Sequence, residues 1–126
     1  MRTQTTARAV YAQPGAPMRS PRSLEYDLLA RITQRLRMTW QQRREDFPDL
    51  VGALSENSRL WATLAADVAE PGNALPAPLR AQLFYLYQFV EQHSRKILAG
   101  NASVDVLIDV NTSVMRGLRG DPGGAR

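Results

Sequence analysis

The sequence predicts an all-α protein, a small antiparallel bundle of four main helices flanked by disordered tails. Three observations lead there. Apolar residues recur at helical spacing along four long segments. Short breaks rich in Pro, Gly and Asn separate those segments. A single short run alternates with the period of a strand, and a longer helical stripe overlaps it. With 126 residues, 44% of them apolar, one domain with a modest core is expected.

The first helix is expected over about 21–42. Ser20 is a good N-cap and Pro21 a good first residue. Leu24, Leu28, Leu29, Ile32, Leu36 and Trp40 fall near one face. Glu25 and Asp27 near the start, with Arg37, Arg43 and Arg44 near the end, suit the helix dipole; Asp27 and Arg31 are spaced as an ion pair.

The second helix is expected over about 47–69, capped by Asp46, with Pro48 in its first turn. Then comes "EPGNALPAPLR", residues 70–80. Pro71, Gly72 and Asn73 reverse the chain, Leu75 anchors the turn, and Pro76 and Pro78 start the next helix. This turn makes the second and third helices neighbours. The third helix is expected over about 77–99, stopped by Gly100-Asn101. The fourth is expected over about 103–118 with Ser103 as its cap. Its "VDVLIDV" alternates like a strand, but the helical stripe continues through Met115 to Leu118. A domain at 20–118 therefore lies between a basic tail at 1–19 and a short tail at 119–126. The first tail is expected to be largely disordered, with a short helical turn around Ala7 to Tyr11.

Composition excludes much chemistry. There is no cysteine, hence no disulfide, thiolate nucleophile or cysteine metal site. A single histidine, His93, precludes a multi-histidine centre. No apolar run approaches the roughly 20 residues of a membrane helix, and the N-terminus has no secretory h-region. A cytoplasmic location is expected, and "NAS" and "NTS" carry no meaning as glycosylation sites there. Charge is uneven. Residues 1–44 hold nine Arg and two acids, whereas 45–126 hold seven basic and ten acidic groups, which gives +7 and −3 against a net +4. A basic arm can bind RNA, but no aromatic-interleaved basic stripe accompanies it, so a solvated tail is the expectation.

Chemistry is best sought where the stripes are interrupted. The second helix runs Leu50, Leu54, Asn57, Trp61, Leu64, Val68. The third runs Leu79, Leu83, Leu86, Val90, His93, Ile97, and the fourth Val104, Ile108, Asn111, Met115, Leu118. Asn57, His93 and Asn111 are thus polar residues on core-facing seams. Two amides and an imidazole lack a nucleophile, an acid pair and a metal set, so a buried hydrogen-bond network is expected rather than a catalytic site. Asp67 with Glu70, and Asp105 with Asp109, have the spacing of solvated helix faces. No Ser lies in a nucleophile elbow and "PGN" is no phosphate loop. No enzyme, metal or cofactor is expected. The third helix carries Phe84, Tyr85, Tyr87 and Phe89 around much of its circumference. Such a helix is either central in the bundle or borders a groove that binds another helix.

The ordered landmarks "SPRSLEY" (20–26), "NSRLW" (57–61), Asp67, "PGNALP" (71–76), "LRAQ" (79–82), "DVN" (109–111) and "MRGL" (115–118) resemble the FlaF family of flagellar biosynthesis regulators. The resemblance implies a non-enzymatic helical protein acting in flagellin production, as a flagellin export chaperone and a link between flagellin synthesis and assembly. It implies flagellin's amphipathic terminal helices as the partner, alongside a partner regulator, FlbT. Direct nucleic-acid binding and membrane association are not expected. On this reading Trp61, Phe84, Tyr87 and Met115 supply apolar contacts to the bound helix, and Asn73 and Arg80 its polar rim. The alternative is post-transcriptional: the basic front third acts on flagellin mRNA, directly or through the partner regulator. A small-molecule enzyme is a third reading.

Overall fold

A computed structural model describes residues 21–119 of the chain, with side chains over 25–117. It contains α1 (Pro21–Gln41), α2 (Phe47–Ala69), α3 (Ala77–Leu98) and α4 (Asp105–Arg119), and no strand among the described residues. The "VDVLIDV" segment is helical from Asp105 on. The expected tail features, Ala7–Tyr11 included, lie outside the described residues, as do Ser20 and the side chains of Leu24 and Leu118.

Local chemistry sets the ends. Asp46 caps α2, its Oδ1 accepting from the Asp49 N–H at 3.1 Å, with Pro48 in the first turn. Arg43 closes α1 by donating Nη1 to the Trp40 carbonyl at 2.8 Å while its guanidinium sits 3.9 Å over the Trp40 ring. Gly100, at φ 82°, ends α3. Its N–H reaches the Ile97 carbonyl at 3.0 Å and that of Asn101 the Lys96 carbonyl at 2.8 Å, the paired bonds of a left-handed helix stop. The fourth helix starts two residues later than expected. The Ser103 carbonyl lies 3.0 Å from His93 Nε2 and is engaged there rather than in the helical ladder. Ser103 Oγ still accepts from the Asp105 N–H, at 3.3 Å.

α1 packs against α4 and α2, α2 packs against α3, and α3 meets α4 along little of its length. Side-chain partners fix the relative sense. Arg31 bonds Glu56 while Arg35 reaches both Glu56 and Asp49, so α1 and α2 pair in opposite order. Trp40 shares a cleft with Val104 and Ile108, and Tyr26 one with Met115, so α1 and α4 also run oppositely. All four helices meet in a core of Leu36, Leu50, Leu54, Trp61, Val90 and Leu107, with Ile97 and Val104 beside them. Leu107, fully buried, replaces Ile108 at the centre of the expected stripe, because α4 is rotated so that Ile108 flanks the core instead.

Candidate functional site

The polar seam residues separate into two groups. Asn111 and Asn57 are both 0% exposed and meet at the centre of the bundle. Asn111 Nδ2 donates to Asn57 Oδ1 at 2.9 Å and to Thr33 Oγ1 at 3.1 Å, while its Oδ1 accepts from Trp61 Nε1 at 2.9 Å. One side chain on α4 thereby ties α1 and α2 together. Asn57 Nδ2 is buried and has no partner among the described residues. His93 stands apart. It stacks on Phe89 at 5.4 Å and holds the 99–104 connection through Ser103. Thr33 was not visible as a member of the network, because a Thr on a helix gives no periodic signal that distinguishes a bonded hydroxyl from a solvated one.

A second feature missed in the sequence is the charged contact between α1 and α2. Arg35 forks onto Asp49 (2.9 Å) and Glu56 (3.0 Å), and Arg31 reaches the other Glu56 oxygen at 2.8 Å. Burial raises the Glu56 pKa, but the bonds from Arg31 and Arg35 outweigh it and hold the carboxyl below its ordinary value. The two carboxylates push the Arg35 pKa up. Gly52 gives the guanidinium room, since a Cβ there sits 2.9 Å from Arg35 Nη2.

The expected partner-binding residues do not form one surface. Trp61 is 0% exposed and bonded to Asn111, so it belongs to the core and offers no face to a partner. Asn73 and Arg80 bind the turn itself. Asn73 donates Nδ2 to the Asp67 carbonyl at 3.1 Å and accepts from the Leu75 N–H at 3.0 Å, and Arg80 Nε donates to the Leu75 carbonyl at 2.9 Å. Asn73 does so without a positive φ. Met115 lies on the α1 side of α4, in a cleft of about 200 Å³ with Tyr26, Thr112 and Arg116. Phe84 and Tyr87 do stand together, ring centroids 5.7 Å apart on α3.

Around that pair the first half of α3 presents an apolar surface. Its buried residues, Val90, Ser94 and Ile97, all lie in the second half. Toward the start, Leu79, Phe84 and Tyr85 are 39, 40 and 64% exposed, while Leu83, Leu86 and Tyr87 rest half-buried against the core. The aromatics of α3 are therefore not enclosed between two neighbours, the arrangement that favours a docking surface. The α1–α4 side has a cleft of about 300 Å³ lined by Arg37, Trp40, Gln41, Val104, Asp105, Ile108 and Asp109, open and of mixed charge. Among the described residues no three His, Asp or Glu are grouped to hold a metal, and no helix is long and apolar enough to cross a membrane.

The family model described as flagellar protein FlaF matches residues 7–118 of the chain. The chain belongs to the FlaF family. No curated protein and no solved structure matches it. A flagellar protein is thus the setting in which the α3 surface has to be understood. The FlaF match begins well before α1, so the family's common region extends into the N-terminal segment.

Proposed function

We propose that this chain is a non-enzymatic, cytoplasmic flagellar factor that binds unassembled flagellin as an export chaperone and couples its synthesis to assembly. The observation that carries the reading is the exposed first half of α3, with Leu79, Phe84 and Tyr85 outward above half-buried Leu83, Leu86 and Tyr87. An amphipathic partner helix needs apolar contact area, and the exposed Leu79, Phe84 and Tyr85 around the first half of α3 supply it. Flagellin's terminal segments are amphipathic helices that pack together only in the filament. Covering one of them before export lowers aggregation by mass action, because the bound form is withdrawn from the self-associating pool. The amount of free chaperone then reports how much flagellin awaits export, which gives a partner regulator such as FlbT a signal to read.

The assay is co-purification of tagged chain with flagellin, followed by isothermal titration with purified flagellin. Saturable binding at micromolar concentration or tighter is expected. Absence of heat and of co-purification at tens of micromolar (about −6 to −7 kcal/mol of affinity) rejects the chaperone role.

A further inference from the structure

The buried core of α3 and α4 stops at the level of the Asn111 hub. On α3 no described side chain before Val90 is buried, and on α4 none after Asn111. On α1 and α2 burial continues past that level, to Leu29 and Ile32 and to Ala65 and Val68. One end of the bundle therefore has α1 and α2 as a packed floor and α3 and α4 as two walls with little of their surface enclosed. His93 holds the 99–104 connection at the far end, and among the described residues no hydrogen bond or ion pair joins α3 directly to α4.

Helical spacing tells which side chains line the gap. His93 marks the α4-facing line of α3, and Phe89, Leu86, Gln82 and Leu79 continue that line toward the start of the helix. Ile108, Thr112 and Met115 line the clefts shared with α1, so Val110, Ser113, Val114 and Gly117 on the other flank of α4 turn to α3. The two walls are not held alike. The start of α3 is clamped to the end of α2, through Asn73 to the Asp67 carbonyl and the Leu75 N–H and through Arg80 to the Leu75 carbonyl. Beyond Asn111, the hydrogen bond of an α4 side chain among the described residues is that of Thr112 to the Ile108 carbonyl of its own helix, at 2.7 Å. The last fixed point of α4 is thus Asn111, bonded to Thr33, Asn57 and Trp61. Segments with few buried contacts open locally at small cost, and ligand-receiving elements are drawn from them.

We propose that α4 is a hinged wall. It tilts as an intact helix about its core-anchored segment, with the Asn111 hub as the pin, so that 112–119 swing away from the clamped start of α3. Those eight residues span about 12 Å, and a tilt of about 25° carries the tip about 5 Å. The gap so opened, between Leu79, Leu83 and Leu86 on one wall and Val110 and Val114 on the other, seats the client helix. Entry of a client rests on the chaperone reading; the hinge does not.

The test uses spin labels on the full chain, which has no cysteine of its own. Exposed Gln82 and Ser113 stand on the two walls, and exposed Arg95 and Asp105 at the tethered end. The Gln82→Cys/Ser113→Cys pair is expected to show a second, longer distance population, and the Arg95→Cys/Asp105→Cys pair a single narrow one. Asn111→Ala enlarges the longer population. Thr33→Val, which removes one of the three hub bonds, enlarges it less and serves where Asn111→Ala does not fold. One narrow distance at both pairs overturns the hinge, as does a broad distance accompanied by loss of helical Cα chemical shifts over 112–119, which means fraying. Unchanged populations in a folded hub variant overturn the role of the pin. Ser113→Arg, at an exposed position on the α4 wall, is then expected to weaken flagellin binding about tenfold. Unchanged affinity overturns the seating. If the wild-type chain binds no flagellin, the chaperone reading fails while the label distances still decide the hinge.

Discussion

Asn111→Ala and Asn57→Ala remove the same side chain from sites that are both 0% exposed, so their cavity terms are similar and largely cancel. Their hydrogen bonds differ. Asn111 makes three, to Trp61, Asn57 and Thr33, and Asn57 shares one of these. At about 1 kcal/mol net per bond, the extra two separate the variants by about 2 kcal/mol. Losing Asn111 also strands the buried Trp61 N–H, at about 1–3 kcal/mol. Losing Asn57 instead removes an amide nitrogen that is buried without a partner among the described residues, and leaves Asn111 still bonded to Thr33. Asn111→Ala is therefore expected to cost roughly 2–4 kcal/mol more than Asn57→Ala, a large share of a typical domain's stability. Urea unfolding at 25 °C reads this directly. With m near 2 kcal/mol/M, the midpoint of Asn111→Ala falls at least about 1 M below that of Asn57→Ala. Equal midpoints, or a lower one for Asn57→Ala, would refute the assignment of Asn111 as the hub.

Gly100→Ala places a Cβ at φ 82° and is expected to cost about 1–2 kcal/mol, read as a lower Tm. Gly52→Ala is expected to be close to neutral: about 0.5–1 kcal/mol of helix preference is gained while the Arg35 bridges, at the flexible end of a side chain, are weakened by a similar amount. Glu56 is held below its ordinary value near 4.5, so its contribution is full above that value and is lost as pH falls through the lower one. Acid titration of stability should then show a shallower loss in Glu56→Gln than in wild type. Phe84→Ser/Tyr85→Ser, at positions 40 and 64% exposed and outside the buried core, should lower Tm by only a few degrees while removing apolar contact area.

Helix positions were legible because caps and breakers act locally. Asp46, Pro48, Pro78 and Gly100 did what their backbone chemistry dictates. The seam pattern also located Asn57 and Asn111, since a polar residue interrupting a regular apolar stripe marks a buried amide. What was not legible depends on rotation and distance between helices. Periodicity cannot fix the roll of α4, and so left Leu107 out of the core and put Met115 on the wrong side of the bundle for a site with Phe84 and Tyr87. Trp61 was misassigned for a related reason, because a large ring on a stripe looks the same whether it faces the core or a groove. The Arg35 fork joins residues 14 and 21 positions away, beyond any local pattern. The turn residues Asn73 and Arg80 look like rim contacts in sequence, yet their polar groups serve the backbone of 67–75.

The most direct test of the account is a paired titration of purified flagellin into the wild-type chain and into Phe84→Ser/Tyr85→Ser, with thermal melts matched beforehand. Binding at micromolar affinity or tighter by wild type, weakened at least about tenfold in the variant (about 1.4 kcal/mol), is the predicted result. Equal affinity of the two chains, or no binding by wild type, would contradict the claim that the exposed face of α3 receives flagellin.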